Sequence, residues 1–223
     1  MFGALRDALE AENFIVFQFR TDLEVARGFS LQSGSFPLLA VNANDSTPAK
    51  TFTLFHELAH VLRQSDGLCI PDATNVDGRY DPVETFCNYF SGFALVPTRE
   101  LEVEWGKVRD KEAPEDLEIR QIARRFGASI TVTVRRLLTQ RLVSHTFYLE
   151  RTGDSREPGP RRRPTEQHGY VEPARLWLSE YGRRYANLVL RAHAEGAIDA
   201  STFADYTGLK LERRERLAAM VFR

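Results

Sequence analysis

The sequence predicts an α+β fold on three observations. Short β-branched and aromatic runs fall mainly in the first 42 residues, helical apolar periodicity dominates the rest of the chain, and two histidines stand at helical spacing between the two regions. A small antiparallel sheet is expected first, then a histidine-bearing helix and a glutamate-bearing helix. A helix-turn-helix-like segment at about 115–143 and a small helical C-terminal unit complete the chain. One domain is expected over 1–150, a flexible linker or loop over 151–169 and the helical unit over 170–223.

Composition agrees with a globular chain: of 223 residues, 43% are hydrophobic and 27% charged. No apolar run approaches the ~20 residues that cross a bilayer, so no membrane partner is expected. The start, from Met1 to Asp7, lacks the basic head and long apolar stretch of a signal peptide. Two cysteines, Cys69 and Cys87, do not make a disulfide framework, and a cytoplasmic location is expected. The net charge of −1 hides an uneven distribution: −10 over residues 1–119, +8 over 120–163, and near neutrality beyond. Such asymmetry marks either a polyanion-binding segment or two oppositely charged regions that face one another.

Residues 2–12 read as a short helix with Leu5, Ala8 and Leu9 on one face. Residues 14–19 (FIVFQF) read as a strand, with two more at Gly28–Leu31 and 38–41 around a turn at 33–35. Thr47 is a helix cap and Pro48 suits a first turn, opening a helix over 48–64. A polar loop over 65–81 leads to a second helix, Pro82–Leu95, stopped by Pro97. Another helix starts at Thr98, two more are broken at Gly127-Ala128-Ser129, and 146–150 reads as a strand. After the linker, 173–195 reads as one helix ending at Gly196, with shorter helices at 201–206 and 211–221.

His56-Glu57-Leu58-Ala59-His60 is the strongest chemical signal. Positions i and i+4 share a helix face, so both imidazoles can meet one ion. Glu57 points to a neighbouring angle, where it can take a proton from water held by that ion without ligating the metal itself. Phe52, Phe55, Leu58, Ala59, Val61 and Leu62 make the helix apolar nearly all round, and a metal compensates the polar trio in so apolar a setting. The third ligand must come from elsewhere. Glu84 is the nearest good candidate, with Asn88 one turn on to brace it. Cys87 is a rival thiolate or a small buried residue; Asp66, Asp72, Asp77 and Asp81 are further alternatives. Phe86, Phe90 and Phe93 are expected in the core.

Together these segments resemble the ImmA/IrrE family of bacterial and phage metallopeptidases. The likeness begins at Arg27-Gly28-Phe29-Ser30 and 38–42, is sharpest at 49–60, and continues at Glu84-Thr85-Phe86-Cys87-Asn88-Tyr89-Phe90-Ser91 with Leu95-Val96-Pro97. It covers roughly residues 14–145. Phe55 and Cys87 depart from it, where small residues are usual. The resemblance implies a zincin-like domain with one Zn2+ per chain held by His56, His60 and Glu84, and Glu57 as catalytic acid/base. It implies hydrolysis of a peptide bond in a protein substrate, with helix-turn-helix transcriptional repressors as the known targets. Many members carry an N-terminal helix-turn-helix domain for which this chain has no room before its first strand.

Two further sets of residues are candidates. Tyr80 or Tyr89 could donate to the oxyanion, and an extended substrate is expected along the strand over 36–42. Arg124, Arg125, Arg135 and Arg136, in the helix-turn-helix outline, could contact nucleic-acid phosphates. The poor helix-forming run at 131–134 and the lack of a mid-helix Asn or Gln argue against base reading, so nucleic acid is not the favoured partner. Arg161-Arg162-Arg163 reads as a solvated loop. The alternative functions are a metal-containing DNA- or protein-binding regulatory module and the toxin of a toxin–antitoxin pair.

Overall fold

The chain begins with α1 (Phe2–Ala11), which turns through Asn13, a residue type tolerant of the left-handed region it adopts, into β1 (Ile15–Phe19). The computed structural model describes residues 2–32, 36–64, 67–69, 81–108, 116–152 and 172–222. The turn expected at 33–35, most of the loop at 65–81, Tyr80, Asp66, Asp72, Asp77 and nearly all of the linker, with Arg161 to Arg163, lie outside these residues.

β2 (Gly28–Leu31), β3 (Leu38–Asn42) and β4 (Gly67–Cys69) complete a four-stranded sheet in the order β1-β3-β2-β4. β2 is antiparallel to both β3 and β4, whereas β1 runs parallel to β3, with Ile15 beside Leu38 and Phe19 beside Asn42. The sheet is therefore mixed and not antiparallel throughout. β3 takes the middle because Leu39, Ala40, Val41 and Asn42 are all buried, the mark of a strand covered on both faces. It has no free edge, so the expectation of a substrate along 36–42 is corrected; among the described residues β4 is the edge beside β2.

α2 (Thr47–Leu62) lies against β2 and β3. Its N-cap is Ser46, whose hydroxyl accepts from the Ala49 amide, so Thr47 is the first helical residue and not the cap. Leu54 and Val61 meet Val16, Leu39, Val41 and Leu9 in one core cluster.

α3 (Pro82–Leu95) is capped by Asp81, whose carboxylate accepts from the Val83 amide. It packs on α2 and also touches the helix that carries Arg136; its buried residues are Cys87, Ser91, Gly92 and Leu95, of which Gly92 faces Arg136. Three of these are small, which lets the helix axes approach closely. The aromatic side chains therefore turn outward: Phe86, Tyr89 and Phe93 are 41%, 51% and 45% exposed and Phe90 is half-buried, contrary to the core role expected for Phe86, Phe90 and Phe93.

α4 (Thr98–Gly106), α5 (Asp116–Phe126), α6 (Ile130–Thr139) and α7 (His145–Thr152) gather around Leu101, Trp105, Ile122 and Leu137. α5 ends at Gly127, at φ 61°, and Ser129 caps α6 by accepting from Val132. The strand expected at 146–150 is instead helix α7. Ser144 accepts from the Phe147 amide, and the Arg151 guanidinium, four residues on, sits 3.7 Å from the Phe147 ring centroid.

α8 (Pro173–Ala194), α9 (Ala200–Thr207) and α10 (Arg214–Val221) share a core of Trp177, Ala186, Val189, Leu190, Phe203 and Leu217. α8 is bent at Gly182 (φ 78°, ψ 167°), where the sequence suggested one continuous helix. The bend is clasped by α1. Glu10 accepts from the amides of Arg183 and Arg184 at 3.0 Å each, while Arg6 donates to the carbonyls of Ser179 and Glu180 and to Val16 of β1. Arg6 and Glu10 are thus buried; Leu5 and Leu9 join the core as expected of the apolar face of α1, whereas Ala8 is exposed. Phe17 of β1 meets Tyr181 and Tyr185 edge-on. No helix among the described residues is long and apolar enough to cross a membrane.

Candidate metal centre

α2 carries His56, Glu57 and His60 on its buried side, and α3 brings Glu84 against them from its first turn. The two imidazole Nε2 atoms are 3.2 Å apart. His56 Nε2 lies 3.1 Å from one Glu84 oxygen and His60 Nε2 3.1 Å from the other. Donors 2.0–2.1 Å from a tetrahedral ion sit about 3.3 Å from each other, so this spacing fits one small divalent cation. His56 and His60 are 2% and 3% exposed, and among the described residues these three alone form a cluster of metal-ligand type.

The electrostatics follow from three polar groups crowded together, two of them buried and Glu84 partly exposed. Hydrogen bonds from His56 and then His60 hold the Glu84 carboxyl down to about 2. Contacts with Cys87 and then Glu84 push His60 up to about 10, against burial. In the metal-free protein His60 is therefore protonated at neutral pH, and an ion must displace that proton to bind. The sign is fixed: proton and metal compete for one lone pair, so affinity rises with pH below about 10. Glu84 is already ionised and adds nothing to the slope. Zinc affinity is expected to rise about tenfold per pH unit between about pH 6 and 8. Competition against a chromophoric chelator measures it, and a flat profile would mean that binding displaces no proton from His60.

Glu57 is fully buried, and neither carboxylate oxygen completes a hydrogen bond among the described residues. Burial raises its pKa first and foremost, and the Glu84 charge adds to that; His56, the Ser30 hydroxyl and His60 pull the other way. The carboxylate lies beside the His/His/Glu cluster and outside it.

The other candidates fare differently. Asn88 is half-buried, one turn beyond Glu84 on the same face of α3. Cys87 is fully buried and reaches His60, but it is outside the ligand cluster. Asp81 is the cap of α3. Tyr89 stands about 140° around the helix from Glu84, half-exposed, with its ring near the Arg136 guanidinium. Of the four arginines, Arg136 is 3% exposed and donates to Val96 O and Thr98 Oγ, so it is structural and offers no face to a phosphate. Arg125 pairs with Glu104, Arg135 donates to the Tyr148 hydroxyl, and Arg124 is exposed. Sequence reasoning missed Ser30 beside Glu57; its only signal was its place two residues after Gly28 in β2.

In comparison with known families, the model described as the IrrE N-terminal-like domain of peptidase M78 matches residues 10–138, more than half of the chain. No curated protein matches the chain.

Proposed function

Because the chain belongs to the M78 peptidase family of IrrE N-terminal-like domains, we propose that it is a zinc-dependent endopeptidase acting on a protein substrate. The observation that carries this reading is the buried His56/His60/Glu84 triangle with an unligated carboxylate, Glu57, next to it. Two imidazoles and one carboxylate suit Zn2+, and three protein ligands leave a fourth position open. When bound, the ion supplies Lewis acidity toward a carbonyl and lowers the pKa of water toward about 7.

The chain's own residues do the rest. Glu57 accepts the proton of the attacking water and returns it to the leaving amine, and its burial keeps its basicity high. Asn88 braces the Glu84 end of α3. An extended polypeptide adds to the outer edge of β4, the strand beyond β2 and beside α2, by backbone hydrogen bonds. A helix-turn-helix repressor is the substrate class this reading favours. The test is incubation of the zinc-loaded protein with the repressor encoded beside it, with chelated protein as control and mass spectrometry to locate the cut. An intact repressor with a fully loaded enzyme removes that substrate.

A further inference from the structure

We propose that Ser30 is the positioning residue of Glu57: its hydroxyl donates to one carboxylate oxygen and so leaves the other directed at the metal pocket. The inference rests on the peptidase reading for its catalytic consequence, but the contact itself does not depend on activity.

Its grounds are geometric. Gly28 and Ser30 are two apart on β2 and therefore share the face turned to α2. Both are buried, Ser30 completely. A Cβ at Gly28 would press into the Thr53 methyl and lie 3.2 Å from Glu57 Oε1 and 2.9 Å from the Ala40 carbonyl. The absent side chain lets β2 lie tight against α2 at the level of Glu57, and Ser30 is the next residue on that face. The Ser30 hydroxyl and both Glu57 carboxylate oxygens are buried, and none of them completes a hydrogen bond with any other described residue. Buried donors and acceptors are almost always satisfied, and each is the partner the other lacks. A hydroxyl rotates freely to aim its single proton, which suits it to follow a carboxylate that must stay oriented while it gains and loses one. Metal-site chemistry depends on such outer partners by 10–100-fold in general.

Three variants test it: Ser30→Ala, Ser30→Cys (similar volume, weak donor) and Ser30→Thr (hydroxyl retained). With zinc-loaded protein and fluorescein-labelled casein as probe, Ser30→Ala and Ser30→Cys are expected to lose about 10–100-fold in kcat. Apparent KM should stay within about twofold, bound zinc should stay at one per chain, and Ser30→Thr should recover most of the rate. A second arm needs no activity. Ser30→Ala should lower Tm by about 3–8 °C in the native background and by much less in a Glu57→Leu background. An active native enzyme with unchanged kcat in Ser30→Ala overturns the proposal while leaving the peptidase reading standing. A native enzyme inert toward casein leaves the melting comparison to decide, and equal Tm losses in both backgrounds overturn the contact.

Discussion

Glu57→Gln is expected to bind zinc as the native chain does and to lose about 10²–10⁴-fold in kcat. The amide has nearly the same shape as the carboxylate but accepts no proton at neutral pH, so it removes the base and little else. Metal binding should survive because the donor triangle is His56, His60 and Glu84, with Glu57 outside it. Stability should not fall either, because the amide oxygen still accepts from Ser30 and a neutral amide is cheaper to bury than a charge at this fully buried position. Zinc content by atomic absorption, Tm, and cleavage of casein or repressor separate the three effects. Undiminished cleavage by the loaded variant would place the base elsewhere and sink the mechanism, while loss of zinc would place Glu57 in the ligand set.

The histidine pair was legible because one helical turn imposes its geometry on any sequence with that spacing: once 48–64 is helical, His56 and His60 must share a face. Glu84 was harder to place. Nothing local says which residue of a second helix will face the first, and the family resemblance made the choice that periodicity left open. In the structure the deciding feature is the small buried pair Cys87 and Ser91, three and seven residues after Glu84 and so on one stripe of α3 with it, which lets α3 lie close on α2. The same packing explains an error. Phe86 and Phe93 look like core residues by hydrophobicity, yet the small face wins the interface and sends them to solvent.

Strand direction and tertiary capping were not legible. Whether β1 joins β3 in parallel depends on where β2 lies, which is a property of three segments together. Residues 146–150 alternate like a strand, but a serine cap and an i,i+4 contact between Phe147 and Arg151 make them helical. Arg136 read as a phosphate contact because a buried arginine is rare. Here the Val96 carbonyl and the Thr98 hydroxyl, at the end of α3 and the start of α4, accept from its Nε and Nη2. For β1 and Arg136 a contact distant in sequence overrode a local preference, and for 146–150 two local helical contacts outweighed the alternation.

The same holds for the largest stability effect expected in the molecule, Glu10→Ala, which should cost about 3–5 kcal/mol and lower Tm by about 10 °C. Glu10 and Arg6 are 6% and 7% exposed, and burial is the main influence on both: it raises the acid's pKa and lowers the guanidinium's. Held so far from water, the pair survives because each member has several partners. Removing Glu10 leaves Arg6 without its 3.1 Å counter-charge and strips the Arg183 and Arg184 amides of their acceptor at the bend of α8. Gly182→Ala should have an effect of the same size by a different route. Gly182 has φ 78° with ψ 167°, a conformation essentially reserved for glycine, and an added Cβ would collide with Glu10 Oε1 and lie 2.6 Å from Arg6 Nη2. Because both substitutions break one clasp, their costs should be well short of additive in the double variant. Thermal melting of the three proteins measures this, and additive losses would mean that the bend and the ion pair are independent features.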